Sequence, residues 1–146
     1  MSVNASKQDF LKGFRKHRNA YNAAKSASIN DCSRRLLLVY SVECGLKYLY
    51  LKSLNANSVA DLPAQSIISH NLEYFLKELR AGSYIFPPIK TEHGDTVTIR
   101  EYHQLCRYSI PWSKKNPKDN TEYEHIEQYD RNLEAIMEWI EKQPGV

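Results

Sequence analysis

The chain has 146 residues, a net charge of +3 and an ordinary hydrophobic share of 42%, which bounds it to one domain, 1–146, with a core of its own. Its three cysteines, Cys32, Cys44 and Cys106, form no metal-ligand spacing and no paired framework, which excludes a disulfide scaffold and points to a reducing compartment. The opening Met1-Ser2-Val3-Asn4 has no apolar signal core, so the expectation is a cytoplasmic protein.

Ser6 is placed to cap a first helix from about Lys7 to Ala27. Phe10, Phe14, Tyr21 and Ala24 fall on one stripe of it, and His17 shares that stripe as a packed or boundary side chain. Asn30 or Asp31 then caps the segment that dominates the sequence, Ser33 to Leu54. It is apolar nearly all round, so it reads as a helix buried against several neighbours. Glu43 and Lys47 interrupt it at i, i+4 with the acid first, the favourable order for a helical pair. They also exclude a membrane span, because charge at mid-bilayer costs about 2.5–3.5 kcal/mol. The pair reads as a boundary ion pair or as an inward-facing pair that fixes contact with a helix or ligand. Gly45 costs about 1 kcal/mol relative to alanine; with Cys44 it lets another helix approach, from this chain or a second copy.

A polar loop from Asn55 to Gln65 follows, with a short turn near Val59–Leu62 broken by Pro63. Ser69 or His70 precedes a third helix, Asn71 to Ala81, which buries Leu72, Phe75, Leu76 and Leu79 and ends at Gly82 in the left-handed conformation. Ser83 to Asp95 reads as irregular, with Pro87-Pro88 forbidding regular structure and Gly94-Asp95 making a turn. Thr96 or Thr98 opens a fourth helix through Tyr108, with Ile99, Tyr102, Leu105 and Cys106 inward and Pro111 ending it. Trp112 to Asn120 reads as a solvated loop. Thr121 and Glu124 form a capping box for a last helix to about Lys142, with Ile126, Leu133, Ile136, Met137 and Ile140 inward. The fold class is all-α, an up-and-down bundle of four to five helices with little or no strand.

Charge is distributed unevenly. Residues 1–35 hold eight basic residues against Asp9 and Asp31, whereas residues 119–146 hold eight acids against Arg131 and Lys142. The basic helix either tracks phosphates, through Arg15 and Arg18 among others, or lies against the acidic one, within a chain or across a dimer. The sequence contains no phosphate-binding glycine loop, dinucleotide fingerprint, HExxH or nucleophile elbow. His17, His70, His93, His103 and His125 are scattered, so neither a metal nor a cofactor is implied. Arg107-Tyr108 and His70 are the polar residues to follow.

Glu43-Cys44-Gly45-Leu46-Lys47-Tyr48-Leu49, then Ser69-His70-Asn71-Leu72 with Phe75, Leu76 and Leu79, then Arg107-Tyr108 resemble, in order and spacing, the HEPN superfamily of small prokaryotic helical domains. The resemblance covers about residues 7–142. It implies a helical bundle that dimerises. The family includes metal-independent ribonucleases whose motif is an arginine, four to six residues, then a histidine. Every arginine here fails that test: His17 follows Arg15 too soon, His103 follows Arg100 too soon, and the next histidine after Arg107 is His125.

Family members without the motif are binding or dimerisation modules, often beside a nucleotidyltransferase, toxin or effector of anti-phage defence and toxin–antitoxin systems. The expectation is therefore a non-catalytic module. It forms a homodimer or small hetero-complex and binds a partner protein, a nucleotide or RNA through Arg107, Tyr108, Glu43, Lys47, Arg15 and Arg18. Two alternatives stand beside it. One is a metal-independent ribonuclease with a non-standard site, using His70 and His103 as acid and base with Arg107 at the phosphate. The other is a helical scaffold subunit of a larger complex, whose tyrosines contact protein.

Overall fold

A computed structural model describes residues 4–62, 71–112 and 125–146. It is an all-α helical bundle with one two-stranded hairpin: α1 (Lys7–Lys25), α2 (Asp31–Ser53), α3 (Leu72–Glu78), β1 (Ile89–Lys90), β2 (Thr96–Val97), α4 (Tyr102–Arg107) and α5 (His125–Glu141). No helix among the described residues is long and apolar enough to cross a membrane.

The start of α1 is fixed by a reciprocal box in which the Ser6 hydroxyl accepts from the Asp9 amide and the Asp9 carboxylate accepts from the Ser6 amide. The same stretch is pinned to the loop after α2, since the Lys7 amide donates to the Asn57 carbonyl and the Val59 amide to the Ala5 carbonyl. Asn30 caps α2 through the Cys32 and Ser33 amides.

The four other helices all pack on α2. Leu38, Val42 and Leu46 are fully buried and Leu49 nearly so. What lets the neighbours close around α2 is Gly45. A Cβ built there would stand 2.8 Å from both Phe14 of α1 and Ile140 of α5. The close approach expected of Gly45 therefore takes place within the chain. Beside it Gly13 of α1 faces Cys44, whose sulfur lies 2.9 Å from the Cβ position.

The acidic and basic ends meet as well. Lys25 pairs with Glu134 at 3.2 Å, Arg18 with Glu141 at 3.5 Å, and Arg35 with Asp130 at 3.0 Å. The Tyr21 hydroxyl donates to Glu134. Mutual neutralisation thus holds for the C-terminal half of α1, the start of α2 and α5. Arg35 is the surprise: it is buried, its Nε reaches both Asp130 carboxylate oxygens, and its guanidinium lies 5.5 Å from the Trp112 ring. Burial raises the Asp130 pKa against the pull of Arg35 and Arg34.

Several boundaries differ from those read in the sequence. Asn71 caps α3 through the Tyr74 amide, while Ser69, His70 and Pro63 lie outside the described residues. The helix ends at Glu78, and Arg80, not Gly82, takes the first left-handed position, at φ +53°. The Arg80 amide donates to the Lys77 carbonyl and the Ala81 amide to the Leu76 carbonyl, the paired bonds of a Schellman ending. Asn55 and Ser109 close α2 and α4 in the same way, each followed by an apolar residue, Ala56 or Ile110. Pro111 follows the α4 ending rather than causing it.

Ser83 to Asp95 is not wholly irregular. Ile89 pairs with Val97 and Lys90 with Thr96, around a turn held by Thr91 and Gly94. Thr96 is therefore a strand residue, and Thr98 with Glu101 makes only the turn that leads into the short α4. The strands escape a sequence reading because two residues each are too few to show alternation. Trp112 is not part of a solvated loop: it bridges back to Thr91 and packs on the core. The Thr121–Glu124 box lies outside the described residues. In α5, Ile126, Leu133, Ile136, Met137 and Ile140 are inward as expected, together with Tyr129, whose hydroxyl donates to the Pro87 carbonyl.

Two substitutions test this packing. Gly45→Ala should destabilise by about 1–3 kcal/mol, overpacking outweighing the helix gain of about 1 kcal/mol. Arg80→Gly should stabilise by about 0.5–1 kcal/mol by relieving a left-handed side chain on the surface. Denaturant unfolding checks both; a stabilised Gly45→Ala would mean that α2 is not closely packed there.

Candidate functional site

Where α1, α2 and the end of α4 meet, three polar side chains converge. Tyr40 interrupts an aliphatic run on α2, and a tyrosine in such a place needs a partner for its hydroxyl. The Arg107 Nη2 supplies it, donating to Tyr40 Oη at 2.6 Å. From α1, the His17 ring tilts against the Tyr40 ring with 5.6 Å between centroids. Tyr108, next to Arg107, is 64% exposed.

Electrostatics set this corner apart. The Arg107 pKa is raised first by its hydrogen bonds to Tyr40 and Tyr108, and among the described residues it makes no ion pair with a carboxylate. Burial lowers the His17 pKa, and the neighbouring Lys16 ammonium lowers it further, again with no described carboxylate opposing. Both effects favour the neutral imidazole over the charged one. Lys7, Lys12, Arg15 and Lys16, on the N-terminal part of α1, have no ion-pair partner among the described residues, in contrast to Arg18 and Lys25 farther along.

The residues singled out in the sequence fall in different places. Arg107 and Tyr108 lie at this corner. Arg15 is exposed on α1. Arg18 is engaged by Glu141 and Asn19 and lies over the Phe14 ring. Glu43 and Lys47 form their i, i+4 pair at 3.8 Å, with Glu43 buried and Lys47 partly buried 5.8 Å from the Phe10 ring, at the boundary between core and surface. His103 is buried, 4% exposed, although it stands one turn before the exposed Arg107. His70 lies outside the described residues.

Sequence reasoning misses Tyr40 and assigns His17 to packing. The signal for Tyr40 is a phenol at i, i+4 and i+7 with Cys44 and Lys47, on the one stripe of α2 that is not fully buried. Among the described residues no group of His, Cys, Asp and Glu could hold a metal ion. Two of the cysteines are poor nucleophiles: burial pushes the Cys44 thiol up to about 11 and the Cys106 thiol up to about 12.

The described residues thus form a helical bundle with a surface corner where Arg107, His17, Tyr40 and Tyr108 gather. No family model, curated protein or solved structure matches the chain.

The His17 titration is directly measurable. Its folded pKa is depressed, so the folded state binds fewer protons than the unfolded chain, and stability falls as pH drops through the unfolded value of about 6.5. NMR titration should place the His17 midpoint below 6.5, and His17→Gln should flatten the pH dependence of stability in that range. A midpoint above 6.5 would mean that a carboxylate faces the ring.

Proposed function

We propose that this chain is a non-catalytic HEPN-like module that binds RNA. The observation that carries the reading is Arg107, an exposed guanidinium held by a tyrosine and flanked by an exposed aromatic, beside a helix on which Arg15 and Lys16 have no ion pair among the described residues. Phosphates take the cationic groups, and bases stack on tyrosine. The HEPN resemblance, and action as a homodimer or beside a partner in a prokaryotic defence or toxin–antitoxin setting, belong to the same proposal. The neutralising ion pairs within the chain remove one electrostatic reason for dimerisation, so pairing of copies rests on the resemblance.

The geometry around His17 supports a second reading, a ribonuclease. A neutral imidazole beside a phenol and an arginine has the groups for metal-free cleavage of RNA: a base for the 2′-hydroxyl and a cation at the phosphate. Of the histidines expected in that role, His103 is buried. The other, His70, lies outside the described residues, and His17 is a further candidate because its ring packs against the phenol that Arg107 bonds.

One experiment separates the two. Purified protein is mixed with labelled single-stranded RNA in EDTA, over a range of salt. The expected result is binding without cleavage. Each phosphate that a cation neutralises contributes about 0.7 to the slope of log affinity against log salt, so Arg107→Gln and Lys16→Gln should each make that slope shallower by about 0.7. Cleavage abolished by His17→Ala and Arg107→Ala would establish the ribonuclease instead. The absence of binding at low salt would refute the RNA reading.

A further inference from the structure

The charges on this face of the molecule differ in one respect. Against α5 four cations from α1 and the start of α2 are answered by carboxylates: Arg18 by Glu141, Lys25 by Glu134, Arg34 and Arg35 by Asp130. At the Tyr40 corner the groups acting on Arg107 are phenols, and the charged group acting on His17 is Lys16. Among the described residues, the positive charge at this corner has no carboxylate in ion-pair contact.

The groups at that corner come from three elements and are tied together through Tyr40, which Arg107 of α4 bonds and His17 of α1 packs against. The guanidinium has five N–H donors in a planar fork, and its bonds to Tyr40, through Nη2, and to Tyr108 use only part of that fork. Tyr40 accepts that bond, which leaves its own hydroxyl proton to donate outward. His17 lies against the same ring, and Lys16 adds its charge. Such a set suits a tetrahedral dianion better than a singly charged one. A phosphate monoester carries about −1.5 to −2 charge at neutral pH and offers three strong acceptor oxygens. A phosphodiester within a strand offers one charge and two free oxygens.

We infer that the Arg107–Tyr40–His17 corner receives the terminal phosphate of a nucleic-acid strand, an assignment that rests on the RNA-binding reading above. Tyr108, exposed beside Arg107, presents a face for the terminal base to stack on. Lys16 and Lys12, one helical turn apart on α1, lie in line for the phosphates that follow. The module thereby distinguishes a phosphorylated end from a hydroxyl end.

The test is fluorescence anisotropy with one short, internally labelled single-stranded RNA prepared with a 5′-phosphate, a 3′-phosphate or hydroxyls at both ends. One phosphorylated form should bind about tenfold tighter than the hydroxyl form, about 1.4 kcal/mol. That gain should vanish in Arg107→Gln and shrink in His17→Gln and Tyr40→Phe, with circular dichroism showing each variant folded. Equal binding of all three strands would overturn the inference and leave the RNA reading standing, whereas no binding of any strand would remove both. A gain that survives Arg107→Gln would overturn the placement. Uridine 5′-monophosphate serves as competitor; if it binds as tightly as the phosphorylated strand, the site is one for free nucleotides and the strand-end assignment falls.

Discussion

The structure depends on the absence of a side chain at Gly45. A 23-residue helix surrounded by other helices can be fully packed only if they approach closely at its middle. At Gly45 the Phe14 ring and the Ile140 side chain occupy the space that a Cβ would need. Removing that clearance pushes α1 and α5 apart, and with them the ion pairs between their flanks. Dispersion and burial both fall steeply with such separation, so the cost is concentrated at one residue.

Burial on most sides also determines where a site can be. Helix α2 has one stripe that reaches the surface, through Tyr40, Cys44 and Lys47, with Glu43 beneath it. Tyr40, Glu43, Cys44 and Lys47 share that side of the helix, whereas Ser41 and Tyr48 are buried away from it. Glu43 and Lys47 answer each other. Tyr40 is answered by Arg107 from a helix of only six residues, and this gives the short α4 a defined orientation on α2. The same bond that orients α4 holds the Arg107 guanidinium at the surface. Structure and binding thus share one contact.

Much of the bundle is legible in the sequence because burial writes itself into periodicity. The all-round apolar character of α2, the stripes of α1 and α5 and the caps at Ser6 and Asn30 all depend on nearby residues alone. The helix endings are less legible, because Arg80, Asn55 and Ser109 take left-handed conformations where glycine is the usual signal, and only the apolar residue after each marks the motif. The β1–β2 hairpin is too short to announce itself. The site is half legible: Arg107 and Tyr108 stand out as polar residues at a helix end, but Tyr40 and His17 acquire meaning only through contacts far apart in sequence. The burial of Arg35 against Asp130 is hidden for the same reason, since a pattern of charges along the chain cannot tell a solvated cation from a core one.

The central claim is that the corner around Tyr40 is where this protein meets its ligand. The most direct measurement is an NMR chemical-shift map of the isotopically labelled protein titrated with a short single-stranded RNA. The account predicts that the largest changes fall on His17, Tyr40, Arg107, Tyr108 and the Lys12–Lys16 turn of α1. Changes confined to the Tyr84–Pro88 segment, or none at any RNA concentration, would contradict it.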